Sequence, residues 1–449
     1  MEKTNVLIIG GGPAGIITAV TAKSNYPEKD VLIVRKEKEV LIPCGIPYIF
    51  GTLESSNKDL IPDAVLSNAG VGLKIDEVVS VDKERKIAKT KDGTEISFEK
   101  LVFATGSSPY MPKWLKGADL ENVCLIKKNK KYLDEVKAKL KNSKNIVVVG
   151  GGFIGVEISD ELNKVGKNIT IVEILPHVLA LAFDDELVNA AEDILKSRGV
   201  KLKTGVGIKE ILGNEKVEAV LLGNNEKIEC DAVILSMGYR PNSELAEKTG
   251  LRIGYKKAIW IDEYMRTDHP DILAVGDCVE RRNFITRKLG NIMLASTATS
   301  EARIAAANLY KLEVLKNFSG TIAIFSTAIG DTGFGSAGIT ESQAKKEGFD
   351  IITGAFETVD KHPGSLPGAH KQKVKLIASR RSRIILGGQA IGGKSTGEII
   401  NIIGLAIQNR MTVTSLLTTQ IGTHPLLTAS PTAYPIIKAA EVIAKKLKI

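Results

Sequence analysis

Short apolar runs recur along the chain, and two long segments repeat them in the same order. Each segment opens with an apolar strand that enters a Gly-rich turn, VLIIGGGPAG at residues 6–15 and IVVVGGGFIGVE at residues 146–157. Each then continues through a helix to a second apolar strand, at residues 31–35 and 169–173. This order predicts parallel strands joined by crossover helices. We therefore expect two copies of one nucleotide-binding unit.

Each unit ends with a polar hairpin and a further apolar strand that closes on a glycine, Gly106 or Gly238. After the second unit come another short strand and a helical stretch at residues 294–310. From about residue 318 the pattern changes to short β-rich runs and two amphipathic helices, without a Gly-rich phosphate turn. The predicted fold class is therefore α/β, with two Rossmann-like nucleotide-binding domains and a C-terminal α+β domain for packing or association.

The composition of the 449 residues, 43% hydrophobic and 25% charged, is typical of a folded protein with a large core. The net charge of +9 suits anionic ligands such as dinucleotides or coenzyme A, although charge alone favours the simpler interpretation of a Lys-rich solvated surface. Aromatic residues make up only 5%, which argues against a stacked-base nucleic-acid surface. The first residues carry no signal-peptide pattern, and no apolar run is long enough to span a membrane. We expect a cytoplasmic protein that binds neither nucleic acid nor membrane.

The four cysteines, Cys44, Cys124, Cys230 and Cys278, are scattered without CxxC spacing. This arrangement predicts neither a disulfide framework nor a zinc site. The histidines have no metal-ligand spacing either, so we expect no bound metal. Cys124 and Cys230 lie in apolar runs and are interpreted as core residues.

The two Gly-rich turns have the spacing that a dinucleotide needs between a strand and a helix. Their glycines are Gly10, Gly12 and Gly15 in the first unit and Gly150, Gly152 and Gly155 in the second. In such a turn the glycines permit a tight bend, close approach of the backbone to a pyrophosphate and close helix packing. The helix N-terminus then faces the negative charge of the phosphates.

The two units differ at the end of the second strand. In the second unit this position is Glu173, 18 residues after Gly155. A carboxylate there accepts hydrogen bonds from both ribose hydroxyls and repels a 2′-phosphate, which favours NADH over NADPH. The first unit has Arg35, with Glu37 two residues later. Either Glu37 replaces the carboxylate through a shifted loop, or the ribose is held differently; Arg35 as a plain surface residue is the third possibility.

Cys44 lies in the segment LIPCGIPYIFG, between prolines and glycines. Gly45 leaves room for a ligand to approach, and Pro47 at a helix start would point free N–H groups towards the sulfur. Such surroundings lower the pKa of a thiol and make its thiolate a nucleophile. The alternative is a buried structural cysteine, but these flanking residues are unusual for a core position.

These motifs together resemble those of the flavin-dependent pyridine nucleotide-disulfide oxidoreductases over nearly the whole chain. The motifs are GGGPAG, the early cysteine, ATGSSP at residues 104–109, VVVGGGFIGVE, SMGYRPN at residues 236–242 and ILAVGDC at residues 272–278. Residues 329–348 resemble the dimerisation domain of that family. The lone Cys44, without a CxxxxC partner, resembles the single-cysteine branch of coenzyme A-disulfide reductases, NAD(P)H persulfide or polysulfide reductases, and NADH oxidases or peroxidases.

The resemblance implies FAD and NAD(P)H as cofactors, with a discontinuous FAD-binding domain at residues 1–112 and 239–317. The NAD(P)H-binding domain would span residues 113–238 and the dimerisation domain residues 318–449. It also implies that Asp277 bonds the ribityl chain of the flavin and that residues 295–297 lie near the flavin ring. The cofactor-binding residues would be Gly10, Gly12, Pro13, Ala14, Gly15, Arg35, Glu37, Pro43, Ala104, Thr105, Gly106, Gly276, Asp277, Ala295, Thr297, Gly150, Gly152, Phe153, Ile154, Gly155, Glu173 and Gly238.

The C-terminal segment IGTHPLLTASPTAY departs from the two-cysteine members of that family. His424 resembles the histidine that reaches across their dimer as acid/base catalyst, but Ala429 stands where a glutamate would orient it. The resemblance to the single-cysteine disulfide reductases implies instead a tyrosine of the partner subunit as proton donor, and Tyr434 is the candidate here. The resemblance implies a homodimer with a shared active site. For both residues, proton transfer and interface packing stay open.

The function expected from the resemblance is electron transfer from NADH through flavin to Cys44, which reduces a small-thiol disulfide or persulfide such as coenzyme A disulfide. The alternatives are an NADH oxidase or peroxidase that reduces oxygen or peroxide, and a flavoprotein that docks to a partner. The sequence ends at Ile449 without the rhodanese-like domain that some persulfide reductases carry, which weakens the persulfide interpretation. The basic run at residues 127–131 is expected to form one face of a surface helix.

Overall fold

The computed structural model describes residues 1–290, 292–312 and 318–449. The predicted end of the FAD-binding domain, at residue 317, lies outside the described residues. The first nucleotide-binding unit is built on a five-stranded parallel sheet. From one edge to the other its strands are Ile272–Ala274, Lys100–Phe103, Val6–Ile9, Val31–Arg35 and Gly72–Ile75. Since Ile272–Ala274 follows the whole second unit in sequence, this sheet is assembled from two separated stretches of chain.

Helices and a smaller sheet complete the first unit. The helices are Pro13–Asn25, Ala64–Asn68, Glu244–Lys248 and Ala295–Ala307, with 3-10 helices at Ile46–Phe50, Ser56–Asp59, Tyr255–Lys257 and Gly276–Cys278. The smaller sheet has the order Glu2–Lys3, Glu95–Ser97, Ile87–Thr90 and Val78–Asp82, and a two-stranded ribbon joins Arg281–Arg282 to Leu289–Gly290. The helical stretch predicted at residues 294–310 thus forms a helix that ends at Ala307. Its buried face is rich in alanine, which allows close packing on Pro13–Asn25.

The second unit repeats the first with a parallel sheet of five strands. The strand order is Val123–Leu125, Ala232–Leu235, Asn145–Val149, Asn168–Glu173 and Lys201–Thr204, and the helices are Lys130–Lys141, Phe153–Lys164 and Asp185–Ser197. An antiparallel sheet of Ile208–Gly213, Val217–Leu222 and Lys227–Glu229 covers one side. The strands Ser107–Pro109 and Tyr239–Pro241 pair with each other where the chain passes between the two units.

The C-terminal part is an antiparallel sheet with helices packed against it. The strand order is Phe325–Ile329, Thr332–Gly338, Ile385–Gly392, Lys371–Ser379 and Ile351–Val359. The helices are Glu341–Lys346, Thr396–Gln408, Val413–Leu417 and Pro435–Leu447, with a 3-10 helix at Pro431–Ala433. The predicted fold class is confirmed. In residues 1–290, 292–312 and 318–449, none of the helices has the length and apolar character needed to cross a membrane.

The short turn after Cys44 belongs by sequence to the first unit but packs into the second. Its residues Ile46, Ile49 and Phe50 are buried in one apolar cluster with the helix Phe153–Lys164 and the strands of the second sheet. The turn is fastened by Glu161, whose Oε2 accepts a hydrogen bond from the backbone N–H of Thr52 at 2.6 Å. Glu161 is itself only 1% exposed. The position of Cys44 is therefore set by contacts between the two units.

Gly155 is required for helix–strand packing in the second unit, because a Cβ there would lie 1.9 Å from the carbonyl oxygen of Gly150. We expect Gly155→Ala to destabilise the fold by about 1–3 kcal/mol through overpacking. The midpoint of thermal unfolding measures this change. Gly152→Ala is the matched control, since a Cβ at Gly152 meets no atom within 4 Å. Equal midpoints for the two variants would contradict the packing role.

Candidate active site

A cavity of about 2220 Å³ lies between the two nucleotide-binding units and the C-terminal part. Both Gly-rich turns open into it, at the carboxyl ends of the strands Val6–Ile9 and Asn145–Val149. This is the edge at which open α/β sheets bind their ligands. All predicted cofactor-binding residues line the cavity except Gly15, Gly155 and Thr297. Cys44 lies in the same cavity.

The glycines divide into those that face the cavity and those that hold the turn together. A Cβ at Gly12 or Gly152 meets no atom within 4 Å, so the backbone there is open to a ligand. By contrast, a Cβ at Gly15 would lie 1.9 Å from the carbonyl oxygen of Gly10. These two turns therefore fit the pyrophosphates of two dinucleotides, with a helix N-terminus behind each.

Thr297 lies outside the cavity, on the buried side of its helix. It is 7% exposed, and its hydroxyl is 2.9 Å from that of Thr321. This contact ties the helix Ala295–Ala307 to the start of the C-terminal part. The neighbouring Ala295 does line the cavity, so the helix reaches the expected flavin region with its first residue.

Cys44 is exposed in the cavity, whereas Cys124, Cys230 and Cys278 are buried. The pKa of its thiol is raised, first by the partial enclosure of the thiol within the cavity and then by the carboxylate of Glu157. The expectation of a lowered pKa is wrong for this chain. The helix at Ile46–Phe50 is a 3-10 helix of only five residues, and burial together with nearby carboxylates raises the pKa of the thiol.

Glu157 is a site residue for which the sequence analysis found no role. It lines the cavity on the helix Phe153–Lys164, and its Oε1 accepts a hydrogen bond of 2.8 Å from the hydroxyl of Thr327. Burial, together with the charge of Glu161, raises the pKa of Glu157 to about 7. A glutamate that ends the otherwise apolar run GGGFIGV was the available signal.

Lys128 corrects the expectation that residues 127–131 form one face of a surface helix. The helix starts only at Lys130, because Asn129 caps it by accepting a hydrogen bond from the backbone N–H of Tyr132. Lys128 therefore lies before the helix and reaches into the cavity, where its Nζ is 2.9 Å from Oδ2 of Asp277 and from the hydroxyl of Ser107. It is the cation that lowers the pKa of Cys44.

Asp277 lines the cavity beside two positive charges. Burial by itself raises the pKa of this carboxyl, but Lys128 and then Arg281 lower it overall. Arg281 is in turn fastened by Glu301, with 2.8 Å between its Nε and Oε1 of that residue. The carboxylate of Asp277 is thus ionised and oriented, as a ribityl-binding group needs to be.

The ends of the two second strands hold opposite charges. Glu173 accepts hydrogen bonds from the backbone N–H groups of Gly151 at 2.6 Å and Leu175 at 2.8 Å. Arg35 is buried at 2% exposure and forms an ion pair with Asp63, with 2.8 Å between NH1 and Oδ1. The interpretation of Arg35 as a surface residue is therefore wrong. A guanidinium has no acceptor for a ribose hydroxyl, so Arg35 does not replace the carboxylate of the second unit.

The two candidate proton donors lie outside the cavity of their own chain. Tyr434 is 5% exposed and packs in the core of the C-terminal part, where burial raises its pKa. His424 is exposed, and its Nδ1 accepts a hydrogen bond of 3.3 Å from the backbone N–H of Leu426. A local backbone group thus contacts this ring where the two-cysteine enzymes would have a glutamate.

The site defines a two-nucleotide oxidoreductase with a cysteine between the binding turns. Residues 4–302 match the family described as pyridine nucleotide-disulphide oxidoreductase, and residues 324–434 match the dimerisation domain of that family. The chain therefore belongs to the pyridine nucleotide-disulphide oxidoreductases, and the resemblance seen in the sequence is confirmed. It is an enzyme that uses a flavin and NAD(P)H.

Relatives with named activities cover nearly the whole chain. The NADH oxidase of Methanocaldococcus jannaschii is 30% identical, over 98% of this chain and 99% of that protein. The NAD(P)H coenzyme A polysulfide/persulfide reductase of Pyrococcus horikoshii is 31% identical, over 98% of each chain. The solved structure of a NAD-dependent persulfide reductase from A. fulgidus has a TM-score of 0.90 at 28% identity, covering 99% of this chain and 84% of that chain.

The raised pKa of Glu157 makes stability depend on pH in a defined direction. A carboxyl with a folded pKa of about 7 binds its proton more tightly than it does in the unfolded chain, so stability falls as the pH rises from the ordinary value of 4.5 to about 7 and stays at the lower level above it. We expect Glu157→Gln to gain stability relative to wild type between pH 5 and pH 8, on the order of 2 kcal/mol. The urea midpoint at both pH values measures this change. Substitution of the exposed Glu215 by Gln should change stability equally at both pH values. If the stability difference between Glu157→Gln and wild type were no larger at pH 8 than at pH 5, the prediction would be wrong.

Proposed function

We propose that this protein is an FAD-dependent oxidoreductase that passes electrons from NADH to a small-thiol disulfide or persulfide, such as coenzyme A disulfide, through Cys44. The observation that carries the proposal is the placement of Cys44. It is the exposed cysteine, and it lies in the one cavity into which both Gly-rich turns open. The names of the Pyrococcus and A. fulgidus relatives support a sulfur acceptor.

The residues of this chain have separate parts in such a reaction. A bound FAD would supply the two-electron redox chemistry that side chains lack. The Gly10–Gly12 turn and Asp277 would hold it, and the Gly150–Gly152 turn with Glu173 would hold NADH. The thiolate of Cys44 attacks one sulfur of the acceptor, forms a mixed disulfide and releases the other sulfur as a thiolate. Lys128 is placed to offset negative charge at Cys44.

We also propose a homodimer that uses the C-terminal part as its interface. The match of residues 324–434 to a dimerisation domain supports it. So does the exposed segment that carries His424, in which Leu426 and Leu427 are 54% and 69% exposed. Because neither His424 nor Tyr434 lines the Cys44 cavity of its own chain, these two remain the proposed proton donors to the cavity of a partner subunit.

The alternative is an NADH oxidase, in which Cys44 becomes a sulfenate or the flavin alone passes electrons to oxygen or peroxide. The observation that favours it is the 30% identity to the Methanocaldococcus jannaschii NADH oxidase over 98% of this chain. The two functions differ in whether a thiolate at Cys44 must form a bond to the acceptor sulfur. Replacement of the Cys44 sulfur by oxygen therefore distinguishes the disulfide reductase from the NADH oxidase.

Cys44→Ser should leave FAD bound and reducible by NADH, because the two Gly-rich turns are unchanged. Turnover with coenzyme A disulfide or polysulfide should fall by at least about 100-fold, since a serine oxygen cannot form the mixed disulfide. Anaerobic NADH oxidation with each acceptor, compared with oxygen consumption, measures this change. Cys230→Ala, buried outside the cavity, is the control. If the serine variant kept wild-type turnover with disulfides, the role of Cys44 would be refuted and the NADH oxidase would be the remaining function.

Glu173 should make NADH the preferred donor, because its buried carboxylate lines the cavity at the end of the second strand, where it would repel a 2′-phosphate. Glu173→Ala should reduce the ratio of kcat/KM for NADH over NADPH by about tenfold, a loss of roughly one charge interaction. Steady-state kinetics with saturating acceptor give this ratio. Glu37→Ala, in the first unit, should leave the ratio unchanged. Equal kcat/KM values for both donors in the wild type would refute the preference.

A further inference from the structure

Asp59 lies directly beneath the turn that carries Cys44. It ends the 3-10 helix Ser56–Asp59, and its carbonyl oxygen accepts a hydrogen bond of 2.8 Å from the backbone N–H of Ile42. Its carboxyl rests against Gly45, where a Cβ would come within 1.8 Å of Oδ1. The glycine after Cys44 therefore makes room for this carboxyl, whereas the sequence suggested room for a ligand.

One oxygen of the Asp59 carboxyl, Oδ2, is buried without a partner among the described residues. The residue is 2% exposed. Neighbouring aspartates are paired: Asp63 bonds Arg35, and Asp134 bonds Ser56 and Lys130. Buried polar groups are nearly always bonded, so an unpaired one is costly and calls for an explanation. Burial accordingly raises the pKa of Asp59 to about 6.

Several titratable groups face Cys44 from the elements around it. They are Glu157 on the helix Phe153–Lys164, Lys128 before the next helix, Asp277 at the end of the first sheet, Asp59 below the turn, and Tyr48 within it. Lys128 and Arg281 compensate the charge of Asp277, and Thr327 bonds Glu157. Among these three carboxylates, Asp59 is the one whose Oδ2 atom has no hydrogen-bond donor in the part of the chain that the structure describes. A thiolate at Cys44 therefore meets its unscreened negative charge.

We propose that Asp59 is a positioning residue that sets how readily the thiol of Cys44 ionises: a protonated Asp59 carboxyl permits the thiolate, and an ionised one opposes it. Each group exchanges its own proton with solvent, the S–H bond of Cys44 breaking as the thiolate forms and the O–H bond of Asp59 breaking as its carboxylate forms, and no oxidant or reductant takes part. The thiolate therefore forms most readily while Asp59 is protonated. The proposal rests on the proposed function, in which the thiolate is the reactive form of Cys44.

The test is the rate of Cys44 alkylation by iodoacetamide in the thiol-reduced, flavin-bound protein from pH 5 to pH 8.5. Mass spectrometry of the Cys44 peptide measures it, because the other three cysteines are buried. In the wild type the logarithm of the rate should rise with pH, flatten from about pH 6 as Asp59 and then Glu157 ionise, and then rise again. Asp59→Asn should lose the part of the flattening near pH 6 and keep the part that Glu157 causes near pH 7, with a rate at pH 7.5 about three- to tenfold above wild type.

Asp134→Asn is the matched control, since it removes a carboxylate that bonds Ser56 of the same 3-10 helix but does not act on Cys44. It should keep the wild-type profile. The wild-type profile is a test by itself should the Asp59 variant fail to fold: a straight line through pH 6 overturns the proposal. So does an Asp59→Asn protein with the wild-type rate and profile. Alkylation needs no turnover, so this test of Asp59 can still be made if the Cys44→Ser variant keeps wild-type disulfide turnover and thereby refutes the proposed function.

Discussion

The arrangement of the active site depends on one helix, Phe153–Lys164, which contacts all three parts of the chain. It begins at the second Gly-rich turn, so its N-terminus faces one nucleotide position. Near its other end Glu161 holds the turn that carries Cys44, through the backbone N–H of Thr52 at 2.6 Å. Between them Glu157 bonds Thr327 of the C-terminal sheet, and Phe153 stacks on Phe325 with ring centroids 5.1 Å apart. Displacement of this helix would therefore move Cys44 away from the Gly-rich turns.

Electrostatics in the cavity follow from this packing. Bringing the three parts together places Glu157, Asp277 and Asp59 around one thiol, with Lys128 as the opposing cation. In this environment each additional charge is costly, because few of these groups are exposed to water. The ionisation of Cys44 is therefore a property of the whole cluster and not of its short turn.

The two nucleotide-binding units show how one local pattern serves two roles. Both turns place an open glycine towards the cavity, and both pack a second glycine against the carbonyl oxygen of the first. They differ where the second strand ends, since Glu173 bonds the turn of its own unit while Arg35 is turned to Asp63. The duplication therefore accounts for the architecture, whereas the residues at the ends of the second strands distinguish the two units.

The sequence by itself determined the features that are local in the chain. Strand, glycine turn and helix follow one another within a few residues, so the two units, the cavity edge they define and the exposed cysteine were all predictable. Lys128, Glu157 and Asp59 were not, because each becomes part of the site only through residues distant in sequence: Asp277, Thr327 and the turn above Gly45. The raised pKa of Cys44 has the same origin. Short-range patterns specify backbone geometry, but charge and burial at a site are sums over neighbours that only the tertiary structure brings together.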